Sequence, residues 1–222
     1  MKKTMRSAAL LLMLVVTVTG CGKKNKHEYV DLGLPSGTLW ATCNVGATTP
    51  EGYGNYYAWG ETTKKTTYSW STYKWSNGSG TTPTKYCNDS DSGHNGFTDD
   101  LTELQAVDDA ATANWGSGWK TPTSEQWQEL KNNTTSTWTT QNSVNGWLLT
   151  ASNGNSIFLP AAGSRWDDEL YDAGSFGLYW SSTLYTSNPI NAWRFYFNAD
   201  DFDLNYYDYR GFGQSVRPVR QN

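Results

Sequence analysis

The clearest pattern of apolar and polar positions lies near the end of the chain. In residues 193–198 (WRFYFN), tryptophan and phenylalanine alternate with arginine, tyrosine and asparagine, and residues 202–205 (FDLN) alternate in the same way. A period of two is typical of a β-strand with one face on a core and the other in water. We therefore expect two strands here. The expected core beneath them comprises Trp180, Trp193, Phe195, Phe197 and Val216.

The polar face of these strands is rich in tyrosine, asparagine and aspartate. Tyrosine gives a large, rigid contact area at low entropic cost, while asparagine and aspartate give adaptable hydrogen bonds, so this composition is typical of a recognition surface. A soluble β-surface that is simply rich in tyrosine is the alternative. The predicted ligand-binding residues are Tyr185, Asn188, Asn191, Arg194, Tyr196, Asn198, Asp203, Asn205, Tyr207 and Tyr209.

Further strands are predicted where turn residues separate short apolar runs. Residues 29–32 and 39–41 flank a Pro-Ser-Gly turn, and residues 147–150 and 157–160 flank an Asn-Gly turn. Because Asn-Gly readily adopts the backbone angles of a tight turn, the second pair predicts a β-hairpin.

Two short helices are also predicted. Thr123 and Gln126 have the spacing of a capping box, and the apolar positions that follow indicate a helix that ends near Asn133. The alanine-rich end of segment 104–111 predicts the other helix. Aspartates lie at its N-terminal turn, where the helix dipole favours negative charge.

A long segment, residues 47–83, has few aliphatic residues and is rich in glycine, tyrosine, tryptophan, threonine and serine. A loop of this length inside a compact domain is typically functional or held by buried side chains. We expect Trp59, Trp70 and Trp75 to anchor it.

The first residues have the pattern of a targeting signal. Basic residues at 2, 3 and 6 precede an apolar run at 8–18 that is too short to span a bilayer. The Val-Thr-Gly-Cys sequence that ends at Cys21 resembles a bacterial lipobox, which implies a signal peptide over residues 1–20 and lipidation of Cys21. An ordinary signal peptide with a chance cysteine is the alternative.

The predicted organisation is therefore a lipidated cysteine and basic linker over residues 21–27, followed by a single domain over residues 28–222. The expected location is the cell envelope, with the lipid in the outer membrane. The basic linker leaves the periplasmic and the surface-facing side equally open.

Composition narrows the function. The chain has 222 residues, of which 15% are aromatic and only 17% charged, as is typical of a loop-rich extracytoplasmic domain. The net charge of −4 and the scattered lysines lack the basic patch of a nucleic-acid-binding surface, so this class of partner is excluded.

The sequence offers little material for catalysis. His94 lies in a Ser/Gly/Asn-rich loop with no nucleophile elbow around it. Neighbouring aspartates such as Asp167-Asp168 and Asp200-Asp201 would point to opposite faces of a strand, which is unsuitable for a glycosidase pair. We expect a non-enzyme without a cofactor.

Cysteines and acids leave two further questions. Cys43 and Cys87 are expected to form a disulfide in an oxidising compartment, with two free buried thiols as the alternative. No metal site is expected, because the aspartates at 99, 100, 108 and 109 lack the spacing of a known calcium loop.

Five sequence strings together resemble the Fibrobacter succinogenes major paralogous domain. They are YVDLGLPSGTLWA at 29–41, W-x-TPT at 119–123, IFLPAAG at 157–163, YWSS at 179–182 and SVRPV at 215–219. The resemblance extends over nearly all of the predicted domain.

That family is similar to the C-type lectin fold, in the branch with formylglycine-generating enzymes and the variable proteins of diversity-generating retroelements. The resemblance implies an α+β, C-type lectin-like fold with small antiparallel sheets, two short helices and long aromatic-rich loops, in which the first and last strands pair. It also implies that SVRPV is scaffold and that the C-terminal segment, which resembles the diversified segment of the variable proteins, carries the binding face. The enzymes use a cysteine pair near the C-terminus, whereas no cysteine follows Cys87 here.

The sequence thus predicts a membrane-anchored envelope lipoprotein that binds a protein or glycan ligand at the cell surface. The alternatives are a structural subunit of a surface assembly, or an enzyme of the formylglycine-generating type that lacks the usual cysteine pair.

Replacing Cys21 with Ser tests the anchor. Because the thiol that would carry the acyl chains is gone, we expect the protein to leave the membrane fraction or to remain unprocessed, as fractionation and mass spectrometry would measure. Unchanged membrane association together with an unacylated N-terminus in the parent protein would remove the anchor.

Overall fold

The structure, a computed structural model, describes residues 27–78 and 82–221, and within residues 202–205 it describes the backbone alone. The predicted signal peptide, Cys21 and most of the basic linker lie outside the described residues. None of the described helices combines the length and apolar character that a bilayer span requires.

The chain forms two short helices and a series of short strands. The helices are α1, Ala110–Trp115, and α2, Ser124–Asn133. The strands are β1 (Tyr29–Asp31), β2 (Leu39–Ala41), β3 (Thr134–Gln141), β4 (Val144–Ala151), β5 (Ser156–Pro160), β6 (Ser164–Trp166), β7 (Glu169–Tyr171), β8 (Gly177–Leu184), β9 (Asn191–Phe197), β10 (Phe202–Tyr209) and β11 (Val219–Arg220). The predicted α+β class, with small antiparallel sheets and two helices, is confirmed.

The strands pair into small antiparallel sheets. Their orders are β1-β2-β11, β3-β4-β5 and β10-β9-β8, and β6 pairs with β7 in a two-stranded hairpin. The last strand pairs with β2 and not with β1, since Val219 lies opposite Trp40. The expectation that the first and last strands pair is therefore corrected, because β2 occupies the position between them.

α2 begins at its predicted capping box, whereas α1 begins only at the end of the predicted segment 104–111 and continues to Trp115. The Thr123 hydroxyl accepts the Gln126 N–H and the Gln126 side chain accepts the Thr123 N–H, so the capping box is present and α2 ends at Asn133 as predicted. The Asp109 carboxylate accepts backbone N–H groups of Ala111 and Thr112 at the start of α1. These bonds satisfy donors that have no partner within a helix.

The core is built largely from aromatic rings. Trp127 of α2 stacks on Phe195 of β9, with ring centroids 4.4 Å apart. A second cluster packs around Trp59 and Trp180. Of the predicted core residues, Trp180, Phe195, Phe197 and Val216 are buried, whereas Trp193 is only half-buried.

Between β2 and α1, residues 42–109 contain little regular secondary structure in the part that is described. Buried backbone carbonyls in such a segment need hydrogen-bond donors. Aromatic side chains supply several of them: the Tyr73 hydroxyl donates to the Trp59 carbonyl at 2.6 Å, and the Trp180 indole N–H donates to the Tyr57 carbonyl at 2.8 Å. Irregular backbone is thereby tied to the core.

The three tryptophans predicted to anchor this segment differ in how far their side chains are buried. Trp59 is fully buried, and its indole N–H donates to the Ser181 carbonyl at 2.8 Å. Trp75 is half-buried and donates to the Gly60 carbonyl at 2.8 Å, whereas Trp70 packs against the core from the outside.

Two fully buried arginines near the C-terminus donate further hydrogen bonds to backbone carbonyls. Arg217, in the SVRPV string, donates to the carbonyls of Ala41, Thr42 and Phe158 and to the side chain of Asn44. In this structure the string is scaffold, as the resemblance implied.

Arg210 makes the same kind of contact with the irregular segment. Its guanidinium donates to the carbonyls of Lys85, Tyr86 and Pro189 and to the Tyr73 hydroxyl. One side chain therefore joins three distant parts of the chain.

The predicted disulfide is corrected, because Cys43 and Cys87 are both free thiols. The Cys87 sulfur lies 3.1 Å from the Asp89 carbonyl oxygen, and the Cys43 sulfur lies 3.5 Å from the Thr42 hydroxyl. Each thiol thus has a local contact, and burial raises the pKa of Cys87, which keeps it protonated.

We expect Arg217→Gln to destabilise the domain strongly. Buried carbonyls lose their donors, and at roughly 1–3 kcal/mol for each unsatisfied group the loss should be about 3 kcal/mol or more, which is on the order of 10 °C in melting temperature. Arg220→Gln is the matched control, since no hydrogen bond of its guanidinium is found among the described residues. Equal melting temperatures of the two variants would contradict this role of Arg217.

Candidate ligand-binding surface

A one-residue bulge in β10 decides which side chains share a face. Asp203 lies opposite Tyr196 of β9, but Tyr206 lies opposite Arg194. β10 therefore advances by three residues while β9 advances by two, so one extra residue is inserted in β10. Every side chain after the insertion changes face, because strand side chains alternate with a period of two.

The bulge corrects the predicted surface. Tyr207 and Tyr209 were expected to lie beside Arg194 and Tyr196, but Tyr207 lies opposite Trp193, on the other face of the sheet. Tyr206 and Asp208 take the places beside Arg194 and Tyr196 instead.

Arg194 is the centre of one cluster, which also contains Tyr196, Tyr206 and Asp208. Its guanidinium donates to the Asp208 carboxylate and lies 5.7 Å from the Tyr196 ring centroid and 6.0 Å from that of Tyr206. The Asp208 carboxylate also accepts the side-chain amide of Gln214 at 2.9 Å.

This ion pair is unfavourably desolvated on both sides. Burial raises the pKa of Asp208, although Arg194 opposes the shift, and burial lowers the pKa of Arg194, although Asp208 opposes it. The Arg194 Nε and the Gln214 amide oxygen are also buried without a hydrogen-bond partner among the described residues. Burying these charges and unpaired polar atoms costs folding free energy, so a purely structural role does not explain the cluster.

A second cluster lies on the other face of the sheet. Tyr185 and Tyr207 stack with ring centroids 4.0 Å apart, and both rings lie edge-on to Trp193. Tyr207 remains 45% exposed. Tyr185 and Trp193 are half-buried.

The predicted asparagines mainly shape turns. Asn191 is buried, so its side chain is not part of an exposed surface. Asn198 accepts the backbone N–H groups of Asp200 and Asp201 in the β9-β10 turn, and Asn188 lies exposed in the β8-β9 turn. The side chains of Asp203 and Asn205 lie outside the described part of the chain.

Another aromatic feature of the described residues is a row of five rings, which we call the aromatic ribbon: Tyr171, Trp166, Phe212, Tyr209 and Trp70. Neighbouring ring centroids along it are 6.5, 5.5, 5.6 and 6.0 Å apart. Trp166 is 53% exposed and Tyr209 is 44% exposed. Large exposed rings in one continuous patch typically mark an interaction site.

Three distant segments hold the ribbon in place. The β6-β7 hairpin is joined to the core by backbone hydrogen bonds between Arg165 and Gly213 and between Asp167 and Tyr68. A Cβ atom at Gly213 would lie 2.7 Å from the Tyr68 ring, so glycine is required for this close approach. The exposed rings therefore stand on a rigid base.

Acidic residues flank the exposed end of the ribbon. Asp167, Asp168 and Glu169 follow Trp166 directly, and the Tyr171 hydroxyl donates to the Glu169 carboxylate at 2.8 Å, which raises the pKa of Tyr171. Rings and carboxylates together can bind apolar and cationic groups or donate and accept hydrogen bonds.

The sequence patterns did not single out Trp166, Tyr171 or Phe212 as ligand-binding residues. A signal was available for Trp166, since three acids after a tryptophan make its burial unfavourable. No signal pointed to Phe212, because its place beside Trp166 depends on the pairing of two segments far apart in sequence.

Three of the aspartates considered for a metal site, and the domain histidine, have ordinary structural partners. Asp99 accepts backbone N–H groups, Asp108 pairs with Lys85, and Asp109 caps α1. The His94 ring contacts the Asn95 amide at 3.1 Å. In the described ranges, no group of three or more His, Cys, Asp or Glu side chains is arranged to hold a metal ion.

Comparison of the chain with protein-family models, curated proteins and solved structures gave no match.

The Arg194–Asp208 pair generates a stability prediction. Arg194→Met and Asp208→Leu should each destabilise the domain by roughly 1–3 kcal/mol, because one desolvated charge is left unpaired, whereas the double variant should be close to the parent protein. Urea unfolding of the four proteins measures this. A double variant as unstable as the sum of the two single changes would show that the two charges are not coupled, which would contradict this prediction.

The single variant Arg194→Met should also respond to pH. Without the cation, the folded-state pKa of Asp208 rises further above its unfolded value, so its contribution to stability is present at low pH and is lost as pH rises through the folded pKa. The stability deficit of this variant should therefore shrink on acidification toward pH ~4.

Proposed function

We propose that this protein is a non-catalytic ligand-binding module, held at the cell envelope by a lipid on Cys21, and that the aromatic ribbon is its main contact surface. The observation that carries the proposal is the continuous row of rings with Trp166 and Tyr209 about half exposed. Burying such rings in a ligand interface recovers hydrophobic free energy that the isolated domain forgoes.

Rigidity supports the same function. Trp70, Trp166 and Phe212 are each carried by a segment that is hydrogen-bonded to the core, so little conformational entropy is lost when a ligand orders them. The buried pair of Arg194 and Asp208 adds a polar contact point. A buried ion pair contributes little net stability, so a role in ligand binding explains its presence better than a role in stability does.

Ring geometry favours a protein ligand over a glycan. Sugar rings stack on flat aromatic faces, and Trp166 and Phe212 are tilted by 32° while Phe212 and Tyr209 are tilted by 84°. The acids beside Trp166 complement a basic surface, which can also place its cations over the rings. A single sugar stacked on Trp166 is the second candidate, supported by the 53% exposure of that ring.

The proposed family remains the Fibrobacter succinogenes major paralogous domain, with a C-type lectin-like fold. The small antiparallel sheets, the two helices and the buried Arg217 of the SVRPV string are consistent with it. The proposal includes retroelement diversification of the tail, for which a near-copy of its coding segment beside a reverse transcriptase gene is the test.

A matched pair of tyrosines tests the proposed surface. Tyr209, in the ribbon, is 44% exposed, and Tyr207, in the cluster with Tyr185 and Trp193, is 45% exposed. The parent protein is first assayed on a glycan array and on defined basic, neutral and acidic protein surfaces. We expect Trp166→Ala and Tyr209→Ala to weaken the strongest interaction by ~10-fold or more, and Tyr207→Ala to leave it within about twofold.

All three variants should keep their melting temperatures within a few degrees, because the replaced rings are partly in solvent. Loss of binding in Tyr207→Ala alone would assign recognition to the cluster of Tyr185, Trp193 and Tyr207. Unchanged binding in all three variants would exclude both aromatic surfaces.

A further inference from the structure

A cleft of ≈ 460 Å³ lies beside α1 and β11, lined by residues that include Glu103, Ser117, Lys120 and Arg220. Its volume is in the range of small-molecule sites, ~300–1,000 Å³. The aromatic ribbon contributes no residue to it. Binding in this cleft is therefore separate from binding at the ribbon, and only its membrane source rests on the lipid anchor proposed above.

Arg220 differs from the other described arginines. Arg165, Arg194, Arg210 and Arg217 each donate hydrogen bonds to oxygen atoms of the protein. No such bond of the Arg220 side chain is found among the described residues, and its Nε is buried without a partner.

Two rings nevertheless hold the Arg220 guanidinium in place. It lies 5.1 Å from the Tyr29 ring centroid and 5.5 Å from that of Trp119. A guanidinium fixed by aromatic rings but without an acceptor is preorganised to bind an oxyanion, because its planar N–H fork matches two oxygen atoms.

Lys120 places a second cation in the same cleft. Its backbone pairs with Val219, the residue before Arg220, through two hydrogen bonds of 2.9 Å. No carboxylate of the described residues lies within 4.0 Å of its ammonium group. The pairing keeps Lys120 and Arg220 near each other in the wall of one cleft.

The two carboxylates that line the cleft accept hydrogen bonds from neighbouring groups. Asp109 accepts the backbone N–H groups of Ala111 and Thr121 and the Thr121 hydroxyl. Glu103 accepts the Ser182 hydroxyl at 3.1 Å. Among the described residues, neither acid forms an ion pair with Arg220 or Lys120.

We propose that this cleft binds a phosphate monoester through Arg220 and Lys120. Two cations match the charge of about −2 that a phosphate monoester carries at neutral pH, whereas a ligand with one carboxylate carries only −1.

Two sources offer the phosphate monoester group: a soluble phosphate monoester, and a phosphatidic acid headgroup in the membrane. The second is within reach of the anchor, since His27, which stacks on Trp115 of α1 at 3.8 Å, follows Cys21 by six residues, or ~20 Å of extended chain.

The test uses the full chain in solution, titrated calorimetrically with glycerol 3-phosphate and, at matched ionic strength, with acetate. Sedimentation with phosphatidylcholine vesicles with and without phosphatidic acid tests the membrane source. We expect binding to at least one phosphate monoester that exceeds binding to acetate by ~10-fold or more, and a ~10-fold loss in Lys120→Gln and in Arg220→Gln.

Lys64→Gln is the control, since it removes one exposed lysine outside the cleft, and it should leave binding within about twofold. Lys120→Gln keeps the backbone pairing with Val219, so it tests the second charge of the cleft independently of Arg220→Gln. Binding in solution identifies a soluble ligand, and binding to phosphatidic acid vesicles alone identifies the membrane. Binding to neither probe, equal binding of acetate, or equal losses in Lys64→Gln and Lys120→Gln would overturn the proposal.

Discussion

The fold depends on hydrogen bonds from side chains to backbone carbonyls within a long segment with little secondary structure. Residues 42–109 bring many peptide groups toward the core without the ladders of a sheet or helix to satisfy them. Arg210 and Arg217 together donate to six backbone carbonyls, some within this segment and some in the elements around it. The indole groups of Trp59 and Trp180 and the phenol group of Tyr73 donate to three more. The chain has 12 tryptophans and 14 tyrosines. Their side chains combine a large apolar surface with one N–H or O–H donor, which is what buried irregular backbone requires.

The same requirement distinguishes scaffold side chains from those available for binding. Buried aromatic and arginine side chains have protein partners for their polar groups, as Arg217 and Trp59 do. Trp166 and Tyr209 remain about half exposed, and Arg220 lacks an acceptor among the described residues. The aromatic ribbon and the cleft at Arg220 share no lining residue, so the domain presents two different chemistries: apolar rings flanked by acids, and a pair of cations next to α1.

Much of the local structure could be predicted from neighbouring residues alone. The capping box at Thr123 and Gln126 fixed the start of α2, and the Asn-Gly turn fixed the hairpin of β4 and β5, because both depend on contacts within a few residues. Lipidation of Cys21 also depends only on adjacent residues, and it stays a prediction because Cys21 lies outside the described part. The alternation around Phe195 correctly placed Phe195 and Phe197 in the core.

The sequence by itself determined the α+β class, the start of α2 and the buried rings of β9, since period and capping are local properties. Only the tertiary structure decided which tyrosines share a surface. The extra residue between Asp203 and Tyr206 exchanges the two faces of β10, and its position depends on the pairing with β9 and not on the composition of either strand. The ribbon likewise required Gly213 to pair with Arg165, and the thiols are free because the fold does not bring Cys43 and Cys87 together. These outcomes follow from contacts between residues far apart in the chain, which a pattern within one segment cannot specify.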